Sequence, residues 1–423
     1  MNYTKTTLDN GLRVITVPMR DNPTVTVLVL VEAGSKYETK EKNGISHFLE
    51  HMCFKGTARR PNAHAIASEL DGLGSQYNAF TSQEYTGYYA KSDAKHFKQI
   101  FDLVSDIYLN STFPEPEMQK EKGVIVEEIN MYEDMPNRHV QDLFMSLLYG
   151  DQPAGWNIAG TRENVRAMTR EDFIAYKAHA YVPEATTVIV SGNVEESVVA
   201  DEVARIFGAL APEAKASKEK TRDIQMKPEL LVSYKKSDQT HLVLGFRTFD
   251  MYDKRISTAS ILSAIIGGGM SSRLFIKLRE ELGVAYYVRA SNDNYTDHGA
   301  FTISAGVAVD RVAEVVSAIL AECKRLRTEL VEESELSKVK EYLAGNMKLE
   351  LESSDAWGTY YGAQEIVHYP IETLEESEAK LRAVTREDVQ ALAETIFTDA
   401  GLNLALIGPY EDGKQFASIL TLE

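Results

Sequence analysis

The sequence predicts an α+β fold built as two homologous domains, each a mostly antiparallel sheet with helices packed on one face. Three observations carry that expectation. At 423 residues the chain exceeds what a single hydrophobic core usually organises, so two or three domains are expected. Residues 169–195, TREDFIAYKAHAYVPEATTVIVSGNVE, find a counterpart at 385–411, TREDVQALAETIFTDAGLNLALIGPYE, an offset of 216. In both halves hairpin-like strand patterns come before long helical patterns, an order that favours an antiparallel or mixed sheet with helices on one face.

The elements follow in order. Residues 25–31 are apolar and β-branched and read as a strand, and helical patterns follow at 94–110 and 114–148. The second half repeats the theme with a strand at 241–246 and helices at 309–327 and 332–352. Thr169 and Thr385 each open a Thr-Arg-Glu-Asp string that reads as a capping box, with Asp in place of Glu. Both strings continue as an amphipathic helix and end in an apolar run and a turn, Ser191-Gly192-Asn193 and Gly408-Pro409. The polar, Ala- and Lys-rich stretch at 208–228 separates the halves, so the expected division is 1–210, a linker at 211–228, and 229–423.

Composition excludes several classes. With 44% hydrophobic and 26% charged residues the chain is ordinary for a soluble globular protein, and no run approaches the roughly 18 apolar residues of a membrane span. A net charge of −18 leaves no basic stripe for phosphates, so nucleic acid is not an expected partner; the charge suits cationic peptides or plain solubility. The first residues, Met1-Asn2-Tyr3-Thr4-Lys5, have neither a secretory nor an organellar pattern, and a cytoplasmic location is expected. Two cysteines, Cys53 and Cys323, make no disulfide framework, and Cys53 is expected in the core.

The chemistry starts at His47-Phe48-Leu49-Glu50-His51, an H-x-x-E-H string, which is the zinc-protease H-E-x-x-H in reverse. On a helix, with His47 at zero, His51 falls at about 40° and Glu50 at about −60°, an arc of about 100°. Ile45, Phe48, Leu49 and Met52 occupy the opposite face and are expected to be buried. Two neutral imidazoles then share one metal ion, and Glu50 flanks them as a general base on a water activated at the metal. At the 216 offset the second half has Ser263, Ile266 and Gly267, so only the first half carries this set. A catalytic zinc site usually adds a third protein ligand. The acidic helix around 119–134 offers Glu121 and Glu128, seven apart and therefore on one face within about 20°. One would bind the metal and the other would hydrogen-bond a ligand histidine, and spacing alone leaves open which does which. Glu127 points elsewhere, among solvated charges.

At this point the chain resembles the M16 (pitrilysin-type) zinc metallopeptidases, in particular small bacterial members similar to the mitochondrial processing peptidase β subunit. The family pattern is H-x-x-E-H, then 76 residues, then a ligand glutamate, which here falls on Glu128. Glu121, seven earlier, then takes the supporting position. The stretch Gly44 to Thr57 resembles the family's motif helix, and Asn78, Ala79, Phe80 and Thr81 resemble the strand on which substrate is laid. Leu278 to Tyr286 resembles the segment whose Arg279 and Tyr286 contact substrate from the opposite side. The resemblance implies the M16/LuxS-like metallohydrolase fold and one Zn²⁺ per subunit on His47, His51 and Glu128. It implies a homodimer in which Arg279 and Tyr286 act in trans on a closed chamber that admits peptides or unfolded segments. The alternative it leaves is a non-catalytic structural or assembly subunit. Gly267-Gly268-Gly269 lacks the P-loop ending and reads as a loop or helix cap.

Overall fold

The structure, a computed structural model, describes residues 2–423 as two compact units. The first comprises residues 2–130, Asn157–Glu219 and Lys348–Leu374. Its six-stranded sheet runs β1 (Thr4–Thr7), β2 (Arg13–Pro18), β6 (Thr186–Gly192), β3 (Thr24–Val31), β5 (Thr86–Asp93) and β4 (Gln76–Thr81). Only β2 and β6 pair in parallel. β3 explains the layering, because successive side chains leave a strand on opposite faces. Val25, Val27, Val29 and Val31 join one core with Ile100, Phe101 and Val104 of the helix Phe97–Asn110 and with Phe48 and Leu49. Leu30 faces the other way, toward the helix Ser354–Ile366, where Gly362 allows it and Ile189 to close in. A strand buried on both faces reads as a continuous apolar run, as this one does.

The second unit comprises Met131–Trp156, Lys220–Met347 and Glu375–Glu423. Its sheet is ordered β7 (Glu229–Tyr234), β11 (Leu402–Gly408), β8 (Gln239–Thr248), β10 (Gly299–Ala308) and β9 (Ala285–Asn294), with β7 and β11 parallel. Leu242, Leu244 and Phe246 pack with the helices Ile256–Gly267, Val312–Thr328 and Arg386–Ile396. Val243 faces the opposite side, against Val140, Phe144 and Leu148 of the helix Pro136–Tyr149.

The 216 offset maps β2 onto β7 and β6 onto β11 residue for residue. It also pairs the helix Pro136–Tyr149 with Ser354–Ile366. Each of these helices packs on the sheet of the other sequence half, so the compact units do not follow the division at 211–228. The helical pattern expected over 114–148 is in fact two helices, Glu115–Asp134 and Pro136–Tyr149. Pro136 sits at the first position of the second, where its missing N–H costs nothing, and it cannot continue the first. Both capping boxes form, with Thr169 and Asp172, and Thr385 and Asp388, each satisfying the other's backbone N–H. Residues 211–228 hold no helix or strand, but Lys215 pairs with Glu32 in the first unit and Thr221 with Asp297 in the second. Among the described residues no helix is long and apolar enough to cross a membrane.

Candidate metal centre and active site

The motif helix spans Ile45–Cys53. Ile45, Phe48, Leu49, Met52 and Cys53 are buried, which sets His47, Glu50 and His51 on the remaining face, each only partly exposed. Its start is unusual. The preceding residue, Gly44, has φ 100°, and a Cβ there would lie 2.6 Å from the Ala159 carbonyl oxygen, so only glycine fits. No side chain at that position caps the helix. Glu38 reaches in from the preceding loop instead: Oε1 accepts from Ser46 N–H (2.8 Å), and Oε2 accepts from Gly44 N–H (2.8 Å) and from Asn43 Nδ2 (2.9 Å). A buried carboxylate thus satisfies donors the helix start would leave unpaired and sits at the positive end of its dipole.

The acidic helix Glu115–Asp134 brings the carboxylates. Met118, Glu121, Ile125 and Ile129 are its buried stripe, Glu128 is half-buried and Glu127 is exposed. Glu121 Oε1 lies 2.9 Å from His51 Nδ1, and its other oxygen accepts from Lys55 Nζ at 2.7 Å. With Nδ1–H donated to Glu121, the Nε2 lone pair of His51 is directed to the other side. There Glu128 Oε2 stands 3.6 Å from His51 Nε2 and 3.7 Å from His47 Nε2. Burial tends to raise the Glu121 carboxyl, but the His51 and Lys55 contacts outweigh it and hold it below its ordinary pKa.

Potential donor atoms of His47, His51 and Glu128 all lie within 4.8 Å of one another. Tetrahedral bonds of 2.0–2.1 Å place ligand atoms roughly 3.3 Å apart, so small side-chain rotations close the set on an ion. Among the described residues neither ring nitrogen of His47 finds a hydrogen-bond partner: Nδ1 is buried without one, and Nε2 has the Glu128 carboxylate at 3.7 Å, too long for one. The donors present, two imidazoles and a carboxylate, fit zinc.

The protonation states couple to that fit. Burial, with the neighbouring His51 charge, pushes the His47 pKa down to about 3, so this ring is neutral at any ordinary pH. Burial also disfavours charge on His51, but the Glu121 hydrogen bond and the Glu50 and Glu128 charges outweigh it, and its pKa is raised. An ion on His51 Nε2 must therefore expel a proton held above the usual histidine range. Zinc affinity is expected to fall by about tenfold per pH unit below the raised His51 pKa. Calorimetry in buffers of different ionisation heat should count a proton release that grows toward one as the pH is lowered through the raised His51 pKa; a pH-independent affinity with none released would refute this coupling.

Glu50 stands outside the donor set. Thr81 Oγ1 donates to its Oε2 at 2.6 Å, and burial leaves its carboxyl above the ordinary pKa despite that bond. Thr81 closes β4, the last strand of the sheet, whose outer edge has no strand partner among the described residues. Tyr77 and Ala79 pack against the core beneath, Phe80 is half-buried, and Asn78 Oδ1 accepts from the Ala79 N–H. Arg279 and Tyr286 lie together in the second unit: Arg279 Nη1 donates to the Tyr286 carbonyl oxygen at 3.0 Å, and Tyr286 is exposed. Gly267 and Gly268 close the helix Ile256–Gly267. Sequence reasoning missed Glu38 and the Lys55 contact, although Lys55 lies within the motif stretch.

The family described as Insulinase (peptidase family M16) matches residues 13–162, and that described as peptidase M16 inactive domain matches residues 167–343. An uncharacterized zinc protease of Bacillus subtilis is 37% identical over 95% of this chain and 97% of its own. One of Mycobacterium leprae is 34% identical over 97% and 92%. Among solved structures, a protease from Helicobacter pylori superposes with a TM-score of 0.89 at 23% identity, covering 96% of this chain and 99% of that one. A peptidase M16 inactive domain from Pseudomonas fluorescens gives 0.89 at 21%, covering 97% and 99%. With its own H-x-x-E-H helix and this near-complete likeness, the chain belongs to peptidase family M16.

Proposed function

We propose that the protein is a zinc-dependent endopeptidase that hydrolyses peptides or unfolded segments, with His47, His51 and Glu128 as ligands of one Zn²⁺ per subunit. The observation that carries this reading is the meeting of three ligand-type donors beside a carboxylate that is not one of them, under an open strand edge. Bound zinc supplies a Lewis acid that acidifies water and polarises a peptide carbonyl. Glu50 takes the proton of the attacking water and returns it to the leaving amine. Glu121 keeps the His51 tautomer and orientation. The main chain of β4 at Asn78, Ala79, Phe80 and Thr81 receives the peptide as an added strand, which gives affinity with little demand on sequence. The names of the Bacillus and Mycobacterium relatives support zinc and proteolysis. Cleavage of a quenched unstructured peptide, abolished by a chelator and restored by zinc, tests the reading; a zinc-loaded protein that cleaves nothing would instead be a structural subunit of the family.

The working unit we infer is a homodimer enclosing a chamber in the cytoplasm, in which Arg279 holds substrate and Tyr286 donates to the developing oxyanion of the partner's site. The exposure of Tyr286 beside Arg279 supports a role at a surface that meets something else. In a tagged mixed dimer of one Glu50→Gln and one Arg279→Ala chain, trans completion puts both lesions in one site and leaves about half of the wild-type activity. Loss of nearly all activity in that mixed dimer would mean each chain completes its own site.

A further inference from the structure

Glu50 has three rotatable side-chain bonds and no backbone donor to hold it, yet general-base catalysis needs its carboxylate in one orientation. Among the described residues its one hydrogen bond comes from Thr81, Oγ1 to Oε2 at 2.6 Å. An ionised carboxylate only accepts, so Thr81 is the donor. The Thr81 hydroxyl is itself well placed. It is β-branched and in a strand, which restricts its χ1, and β4 pairs Thr81 with Thr86 of β5. Thr86 Oγ1 sends its proton to the Ala33 carbonyl at 2.8 Å and lies 3.4 Å from Thr81 Oγ1, on the donor side of that pair, so Thr86 does not compete for the Thr81 proton. The strand end is fixed in turn by the turn that follows, where Ser82 N–H bonds the Tyr85 carbonyl and Ser35 N–H bonds that of Ser82.

We propose that Thr81 is a positioning residue: its hydroxyl ties the Glu50 carboxylate to the open-edged strand, leaving Oε1 for the proton in flight. Glu50 reaches the edge strand through one short bond, so the strand that receives the peptide also sets the orientation of the base. The proposal rests on the reading of Glu50 as the general base. It assigns Thr81 a side-chain task separate from the main-chain pairing of β4, since its hydroxyl points at Glu50 on the motif helix.

The test is a series in the zinc-loaded full chain: Thr81→Val, Thr81→Ser and Glu50→Gln, alone and as the Thr81→Val/Glu50→Gln pair. Valine keeps the shape and the branching and removes only the hydroxyl. Thr81→Val is expected to lower kcat by about ten- to a hundredfold, the scale of a misoriented catalytic group. KM, zinc content and thermal midpoint should stay near wild type, and Thr81→Ser should recover most of kcat. In the Glu50→Gln background Thr81→Val should change nothing further. Full kcat in Thr81→Val with an inactive Glu50→Gln would overturn the positioning role alone. A loss in Thr81→Val carried by KM, zinc or folding would likewise overturn it, as would failure of serine to rescue. An active Glu50→Gln would instead overturn the reading beneath it.

Discussion

Glu50→Gln is expected to abolish peptide hydrolysis, by a factor of about 10² to 10⁴, while zinc content and fold stay intact. Glutamine has the same shape, and its amide oxygen still accepts from Thr81 Oγ1. What disappears is the carboxylate that the proposed mechanism uses to hold the proton of the attacking water. Metal retention follows from geometry, because the donor set is His47, His51 and Glu128 and Glu50 is not in it. Stability should not fall, because burial already works against the charge of Glu50 and glutamine removes that charge. The thermal midpoint should therefore equal or slightly exceed the wild-type value. Metal analysis, thermal unfolding and steady-state cleavage of a quenched peptide check the three parts together. Activity within tenfold of wild type would remove Glu50 from the mechanism, and loss of zinc would make it a ligand.

Much of this site was legible because it depends on local periodicity. A helix turns by a fixed angle per residue, so the apolar stripe from Ile45 to Met52 had to be buried and the two histidines had to share a face. The same arithmetic selected Glu121 and Glu128 and could not separate them, since seven residues return a helix to nearly the same direction. Three-dimensional placement distinguishes them: Glu121 meets Nδ1 of His51 and Lys55, whereas Glu128 meets the Nε2 side of both rings. Glu38 left no periodic trace, because a loop carboxylate that caps a helix from outside depends on the path of the chain. The exchanged helices were hidden for a related reason. Pro136–Tyr149 and Ser354–Ile366 have the amphipathic pattern of any helix, and pattern says that a face is buried without saying against which sheet.

Glu38→Ala is the structural counterpart of the Glu50 change, and its effect is expected to fall on stability and on zinc affinity. The side chain is buried and accepts from two backbone N–H groups, of Gly44 and Ser46, and from Asn43. Asn43 keeps a second acceptor in the Asn157 carbonyl, but the two backbone donors lose theirs. Each unpaired buried donor costs about 1–3 kcal/mol, and burial of the Glu38 charge itself opposes part of that, so a net loss of about 3 kcal/mol is expected. For a folding unit of 150–250 residues this lowers the melting temperature by roughly 6–12 °C. The exposed neighbour Glu41, changed to Ala, should be silent. The damage is directed, since the loosened first turn carries His47 three residues beyond Gly44, while His51 is still held from Glu121. Zinc should therefore bind more weakly to Glu38→Ala even at temperatures where the variant is fully folded, a measurement open to competitive chelator titration. An unchanged zinc affinity in a destabilised variant would confine Glu38 to stability, and an unchanged melting temperature would show that water or another donor pairing replaces it. Either result bears on how the motif helix is held, because the residue that precedes it, Gly44, has no side chain to cap its first turn.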